Sequence, residues 1–371
     1  MAVHQRYFPL YDKNGKLLNS FITMANFVSD DKESIENIQR GNQRVVCARL
    51  EDGIFFYKED TKEPLANKVE NLKGMTFQRG LGTLYDKTQR ILTLSPEDKD
   101  IKRCALLCKA DLSTKLVFEF TELQGFIGED YARKSNEAEN VAKGISEHYF
   151  PLNATSEIAK TKEGQIVGII DKIDTICAVF LSTQDNKKRR PTGSADPLGV
   201  RRATLGVLRT VLGANLKIDL SDLILRALKQ LSDEFKIEIK DETQKEIEDF
   251  FINRLIIMQN GKYEANVLEA VANNGKSPLS NLGEYFERVE LTLKTSQNVV
   301  ENAKRVDRII PKDKNNFKEI DEQLFVLNEE KELLNLLQAN CRYTDEEMCR
   351  LLGKEKGELK EMIQKIWIKK Q

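Results

Sequence analysis

The chain has 371 residues, 40% apolar and 32% charged, a size and balance that suit two to four packed units and exclude a disordered chain. Its 58 Lys and Arg offset 59 Asp and Glu, so any polyanion must be met by local basic patches and not by a global field. Only two histidines occur, His4 and His148, which removes most histidine-based catalysis and His-rich metal sites.

Residues Arg6 to Val28 alternate apolar and polar side chains around Lys13-Asn14-Gly15, and Asn-Gly between two such runs predicts a β-hairpin. A lone hairpin is marginal in water, so this one is expected to be the edge of a larger sheet. Helical periodicity follows, predicting helices over 34–58, 62–74, 80–94, 100–120, 136–148 and 164–181. In the fourth, Ile101, Ala105, Cys108, Leu112 and Leu116 form one apolar stripe. Residues 185–196 are polar, basic and turn-rich, which predicts an exposed loop. Asp196 then caps a further helix that has Pro197 at its first position. Helices are expected over 197–213, 219–231, 241–258 and 263–273, with a break from Gly275 to Pro278. Two more follow over 281–310 and 319–338, and Thr344 with Glu347 forms a capping box before a Lys-rich end. The expected fold is mainly α, with a short N-terminal β-hairpin.

The six cysteines (Cys47, Cys104, Cys108, Cys177, Cys341 and Cys349) make no CxxC, and Cys104, Cys108 and Cys177 lie in apolar runs that read as buried thiols. No signal-peptide pattern and no run of about 18 apolar residues occurs, so a reduced, cytoplasmic protein without a membrane span is expected.

No Walker loop, GxGxxG after a strand or GxSxG is present, and no catalytic residue is assigned. The turn from Gly80 to Asp86 reads as a packing or capping device, with phosphate contact as the alternative. The stretch from Cys104 to Asp174 resembles the HD-domain layout, in which a helix ends in adjacent His-Asp and a late helix supplies a further Asp. Here Cys108-Lys109 stands at the His-Asp position, so a lysine puts positive charge where a cation would sit, and no metal ligand is assigned. A metal-dependent phosphohydrolase is thereby disfavoured against a helical body without metal.

The carboxylates of Asp111, Glu119, Glu122, Asp171 and Asp174 lie close to apolar stripes and call for cationic partners if buried. At about 100° per residue, Arg202 and Arg209 share a sector with Leu198, Leu205 and Leu212. They are expected to point inward and to pair with Asp171 or Asp174, with direct phosphate contact as the alternative. Two further basic sets are candidates for RNA contact: Lys187, Lys188, Arg189 and Arg190 before that helix, and Lys304, Arg305 and Arg308 opposite the stripe of Val299, Ala303, Val306 and Ile310. For each, a solvated charged surface is the competing reading.

Several stretches coincide in order with one family: HQRYFP from His4, NQRVV from Asn42, ARLEDGIFF from Ala48, FQRGLGTLYDK from Phe77, VFEFTELQG from Val117, DKIDT from Asp171 and RPTGSADPLGVRRATLGVLR from Arg190. Together they resemble the beta subunit of bacterial heterotetrameric glycyl-tRNA synthetase. The resemblance implies an assembly of two alpha and two beta subunits, with ATP and Mg used by the alpha subunit and no cofactor bound by this chain. It implies recognition of glycine tRNA through a degenerate HD-like domain, a helical body and an anticodon-binding domain, whose start the AKRV at Ala303 resembles. The expected divisions are 1–32, the end of an upstream β-containing domain similar to editing modules; 33–186, HD-like; 187–277, basic loop and helical body; 278–340, part of the anticodon-binding domain; and 341–371, an unmatched tail. The chain reads as part of a longer subunit, inactive in aminoacylation on its own.

Overall fold

The computed structural model describes residues 6–26, 31–78, 80–184, 199–273 and 276–294. Strands β1 (Phe8–Tyr11) and β2 (Leu17–Ile22) pair antiparallel, with Phe8 opposite Ile22 and Tyr11 opposite Leu17. The turn between them is built as its sequence requires. Asp12 accepts the backbone N–H groups of Asn14 and Lys16, each at 2.8 Å, and Gly15 takes the left-handed region at φ +78°.

Helix α1 (Lys32–Asp60) starts at Asp31, whose carboxylate accepts from the Ser34 N–H. It ends on a buried carboxylate: Asp60 accepts from the N–H groups of Lys115 and Leu116 and from the Tyr131 hydroxyl. Asp60 thereby caps α4 (Lys115–Glu119) from another helix. Between them lie α2 (Leu84–Leu94) and α3 (Lys99–Leu107). Then come α5 (Phe126–Lys134), α6 (Glu139–Glu147), α7 (Lys162–Ser182), α8 (Val200–Gly213) and α9 (Leu220–Phe235). The described residues end with α10 (Asp241–Gln259), α11 (Ala265–Asn273) and α12 (Leu282–Lys294).

Helix α7 is the axis of the fold. It is apolar nearly all round and so must be enclosed, and α2, α3, α6, α8, α9 and α10 pack around it. A single apolar cluster runs from Leu65 to Val289, on both sides of the division expected near residue 187. The approach of α6 to α7 depends on glycines. A Cβ on Gly144 would stand 2.8 Å from the Glu163 Cβ, and one on Gly168 would stand 2.6 Å from the His148 carbonyl oxygen.

Two predicted helices differ in the structure, and one helix is additional to those predicted. Residues 62–74 form two 3-10 turns, Leu65–Lys68 and Glu70–Gly74, bounded by Pro64 and Gly74. The helix expected over 100–120 is interrupted after α3. Hydroxyls compete there for the backbone: Thr114 donates to the Asp111 carbonyl at 2.6 Å, and Ser113 to those of Ala110 and Lys68 at 2.9 Å. The stripe survives the break, since Ile101, Ala105, Cys108 and Leu116 are all buried. Helix α5 was not expected from the sequence, and Gly125 makes it possible by turning the chain at φ +80°. The cap expected at Asp196 and Pro197, the loop over 185–198 and all predicted elements beyond residue 294 lie outside the described residues.

Candidate functional site

The chain carries two cations on α2 and two aspartates on α7, each pair three residues apart: Lys87 with Arg90, and Asp171 with Asp174. This spacing puts each pair on one helix face, and the two faces meet. The start of α2 is fixed by the turn that precedes it. Gly80 and Gly82 adopt positive φ, and Thr83 and Asp86 form a reciprocal capping box. The glycine turn thus serves as a capping device.

Lys87 Nζ donates to Asp174 Oδ2 at 2.9 Å, to the Asp171 carbonyl at 3.0 Å and to Thr175 Oγ1 at 2.8 Å, and it lies 2.9 Å from Asp171 Oδ1. Arg90 grips Asp174 with two nitrogens, Nε at 2.7 Å and Nη2 at 3.2 Å, and reaches Glu234 on α9 at 3.3 Å. Its guanidinium lies against the rings of Phe77 and Phe235. On the far side of Asp171, Lys109 Nζ lies 2.9 Å from Oδ2 and 2.8 Å from His148 Nε2. His148 Nδ1 faces the Ile145 carbonyl at 2.6 Å, so Nδ1 carries the proton and Nε2 accepts from the lysine.

Three cations therefore meet three carboxylates around a neutral imidazole. Burial alone would raise the Asp171 carboxyl, but the Lys109 and Lys87 ammoniums outweigh it and hold this group well below the usual carboxylate range. Burial and the neighbouring Lys109 charge both push His148 well below the ordinary imidazole value. With its acceptor nitrogen taken up by an ammonium, His148 is poorly placed to act as a base. Nor do the residues fit a divalent ion, because the Lys109 ammonium stands between the imidazole and the carboxylate that would hold one. Among the described residues no group of three or more His, Cys, Asp or Glu side chains is arranged to hold a metal.

The expected pairing of Arg202 and Arg209 with these aspartates is corrected by the structure. The buried stripe of α8 is Val200, Thr204, Val207 and Val211, not the one marked by Leu205 and Leu212, and Leu198 lies outside the described residues. Arg202 is consequently exposed. Arg209 is half-buried and donates to the carbonyls of Asn153 at 2.8 Å and Ser156 at 2.6 Å, closing the loop before α7. Asp171, Asp174 and Asp111 are buried, and the cations that meet the first two come from α2 and from Lys109. Glu119 and Glu122 are exposed, and Glu119 meets Arg49 on α1. Sequence reasoning missed Lys87, Arg90 and the role of His148. The available signal was Lys87 in phase with Ile91 and Leu94, a charge on an apolar stripe. Lys187, Lys188, Arg189, Arg190, Lys304, Arg305 and Arg308 lie outside the described residues.

Asp111 offers a pH test. Its carboxylate is fully buried, accepts the Gly125 N–H at 2.6 Å, and is pushed up to about 6 by burial, against the opposing hydrogen bond and Lys109. Between pH 4 and 6 the folded chain keeps a proton that the unfolded chain has lost. Asp111 should therefore make stability fall as pH rises across that window and stay level above it. Relative to Asp111→Asn, wild type should lose up to roughly 3 kcal/mol between pH 4 and 7, read from urea midpoints. Parallel curves for the two proteins would refute a raised Asp111.

Fold and cluster together define a helical protein whose interior charges are used to join helices. Its sequence matches the family described as "Glycyl-tRNA synthetase beta subunit" over residues 1–273. Glycine–tRNA ligase beta subunits are among its relatives: that of Geotalea uraniireducens is 40% identical over 280 residues, covering 73% of this chain and 39% of the relative. That of Gloeothece citriformis is 42% identical over 273 residues, 69% of this chain and 36% of the relative. The one from Syntrophus aciditrophicus is 37% identical over 357 residues, 92% of this chain and 50% of the relative. The chain belongs to the glycyl-tRNA synthetase beta subunit family. It spans about half the length of the curated relatives it matches. Among the described residues, no helix is long and apolar enough to cross a membrane.

Proposed function

We propose that this chain is a tRNA-recognition part of a cytoplasmic glycine–tRNA ligase, working with an alpha subunit that uses ATP and Mg to attach glycine to its tRNA. Family membership over 273 residues carries the reading. The closed ion-pair cluster supports a non-catalytic role, because its cations are engaged with carboxylates and its histidine with a lysine. In this reading the body is a degenerate HD-like bundle in an alpha2 beta2 assembly, and the phosphates meet Lys187, Lys188, Arg189, Arg190, Lys304, Arg305 and Arg308. Fluorescence anisotropy with glycine tRNA tests it. For about four phosphate contacts, affinity should fall about a hundredfold between 50 and 200 mM salt. Indifference to tRNA at both salts would sink the proposal. Glycine attachment is expected only once the alpha subunit is added.

A second reading, an assembly scaffold for the alpha subunit, draws support from apolar side chains left in solvent on α1 and α4. Leu50, Ile54, Phe55 and Phe118 are 55%, 56%, 57% and 77% exposed. Co-purification with the alpha subunit in the absence of tRNA binding would favour this one.

A further inference from the structure

Among the described residues β2 pairs only with β1, and its outer edge, Leu17–Ile22, carries no proline and no charge. Such an edge presents unpaired N–H and C=O groups to any strand that can lie beside it. The outer edge of β1 is closed by contrast: Pro9 cannot donate, and the ladder shifts register between Pro9 and Tyr11. One face of the hairpin is turned to α1, where the Tyr7 hydroxyl donates to Asn42 at 2.9 Å and the Tyr7 ring meets Phe21 edge-on. On the other face, Leu18 and the cross-strand pair of Phe8 and Ile22 are exposed.

We propose that β2 pairs antiparallel with β2 of a second copy of this chain, the two forming a four-stranded sheet about a two-fold axis that passes through Ser20 perpendicular to the sheet. Directly opposed residues of antiparallel strands share a face. This register therefore sets Leu18 of one copy against Ile22 of the other, twice, with Ser20 facing Ser20 between them. Centring the axis on Asn19 would oppose Leu18 to Ser20 and lose both apolar pairs. Since Leu17–Ile22 is uncharged, two copies of it approach without repulsion. The β1 edge explains why addition stops at two copies. Both outer edges of the four-stranded sheet are β1, blocked by Pro9, so the assembly closes and does not grow into a fibre. A hairpin alone is marginal in water, and two further strands supply what it lacks. A six-residue edge buries less than a standard interface, so the dimer is weak and depends on concentration. This inference rests on the hairpin and does not depend on the tRNA reading.

Sedimentation equilibrium of the full chain between about 5 and 200 μM tests it. Wild type should pass from monomer to dimer across that range and form no larger species. Ser20→Lys sets two lysines face to face and should raise the dimer Kd about tenfold or more. Its circular dichroism spectrum should match wild type, because Ser20 is exposed. Ser20→Cys should form a disulfide-linked dimer under mild oxidation faster than wild type, whose own cysteines set the background. Lys13→Cys, in the turn beyond the strand, should stay at that background. A chain monomeric to about 200 μM, whatever else then covers the edge, would overturn the proposal. A dimer indifferent to Ser20→Lys, or cross-linking of Ser20→Cys no faster than that of wild type or Lys13→Cys, would overturn it equally.

Discussion

Asp174→Asn is expected to destabilise the folded chain by about 3–5 kcal/mol, the range for breaking a buried ion pair from one side. Asp174 is fully buried and carries the charge that both Arg90 and Lys87 face. Asparagine keeps the shape but supplies one oxygen where three donor contacts require two, and it leaves the guanidinium with only the half-exposed Glu234 beyond it. A desolvated cation without its counter-charge is what makes the loss large. Chemical denaturation followed by circular dichroism measures it. A double variant, Arg90→Met with Asp174→Leu, should cost less than the two single changes together, because it removes charges as a pair. Equal costs by simple addition, or a loss under 1 kcal/mol for Asp174→Asn, would show that the cluster does not hold these helices.

Gly168→Ala should cost about 1–3 kcal/mol, at the upper end of that range. The added methyl would stand 2.6 Å from the His148 carbonyl oxygen, 3.2 Å from its Cα and 3.3 Å from its carbonyl carbon. All three atoms are backbone, so no rotamer change relieves the clash and α7 must move off the end of α6. That displacement also draws His148 away from Lys109. Gly41→Ala on α1 provides the contrast, since nothing lies within 4 Å of its added methyl. Alanine there should stabilise by about 0.5–1 kcal/mol through helix propensity. If both substitutions shift the unfolding midpoint in the same direction, the close approach of α6 and α7 is not as described.

Much of the fold was legible because it is written in local patterns. The hairpin followed from Asn14-Gly15, and α7, α9 and α10 followed from long periodic segments. The buried thiols of Cys104, Cys108 and Cys177 followed from their apolar neighbours. Failures came where local signals were split or shared. On α8 two stripes competed, one of leucines seven residues apart and one of β-branched residues, and only packing against α7 selected the second. Between Cys108 and Thr114 the apolar period continues through a stretch where side-chain hydroxyls take the backbone carbonyls, so periodicity reported the face correctly and the helix incorrectly.

The sequence by itself determined the family, the helical class and the place of Asp171 and Asp174 beside an apolar stripe, since ordered motifs, period and the positions of charges are all readable along one dimension. Tertiary structure alone decided the partners of those aspartates. A buried carboxylate needs a cation, and the chain offers many; which ones arrive depends on how α2, α6, α7 and α9 pack, a relation among segments as far apart as Lys87 and Asp174. Arg202 and Arg209 satisfied the arithmetic of their own helix, but Lys87, Arg90 and Lys109 were brought to the site by packing.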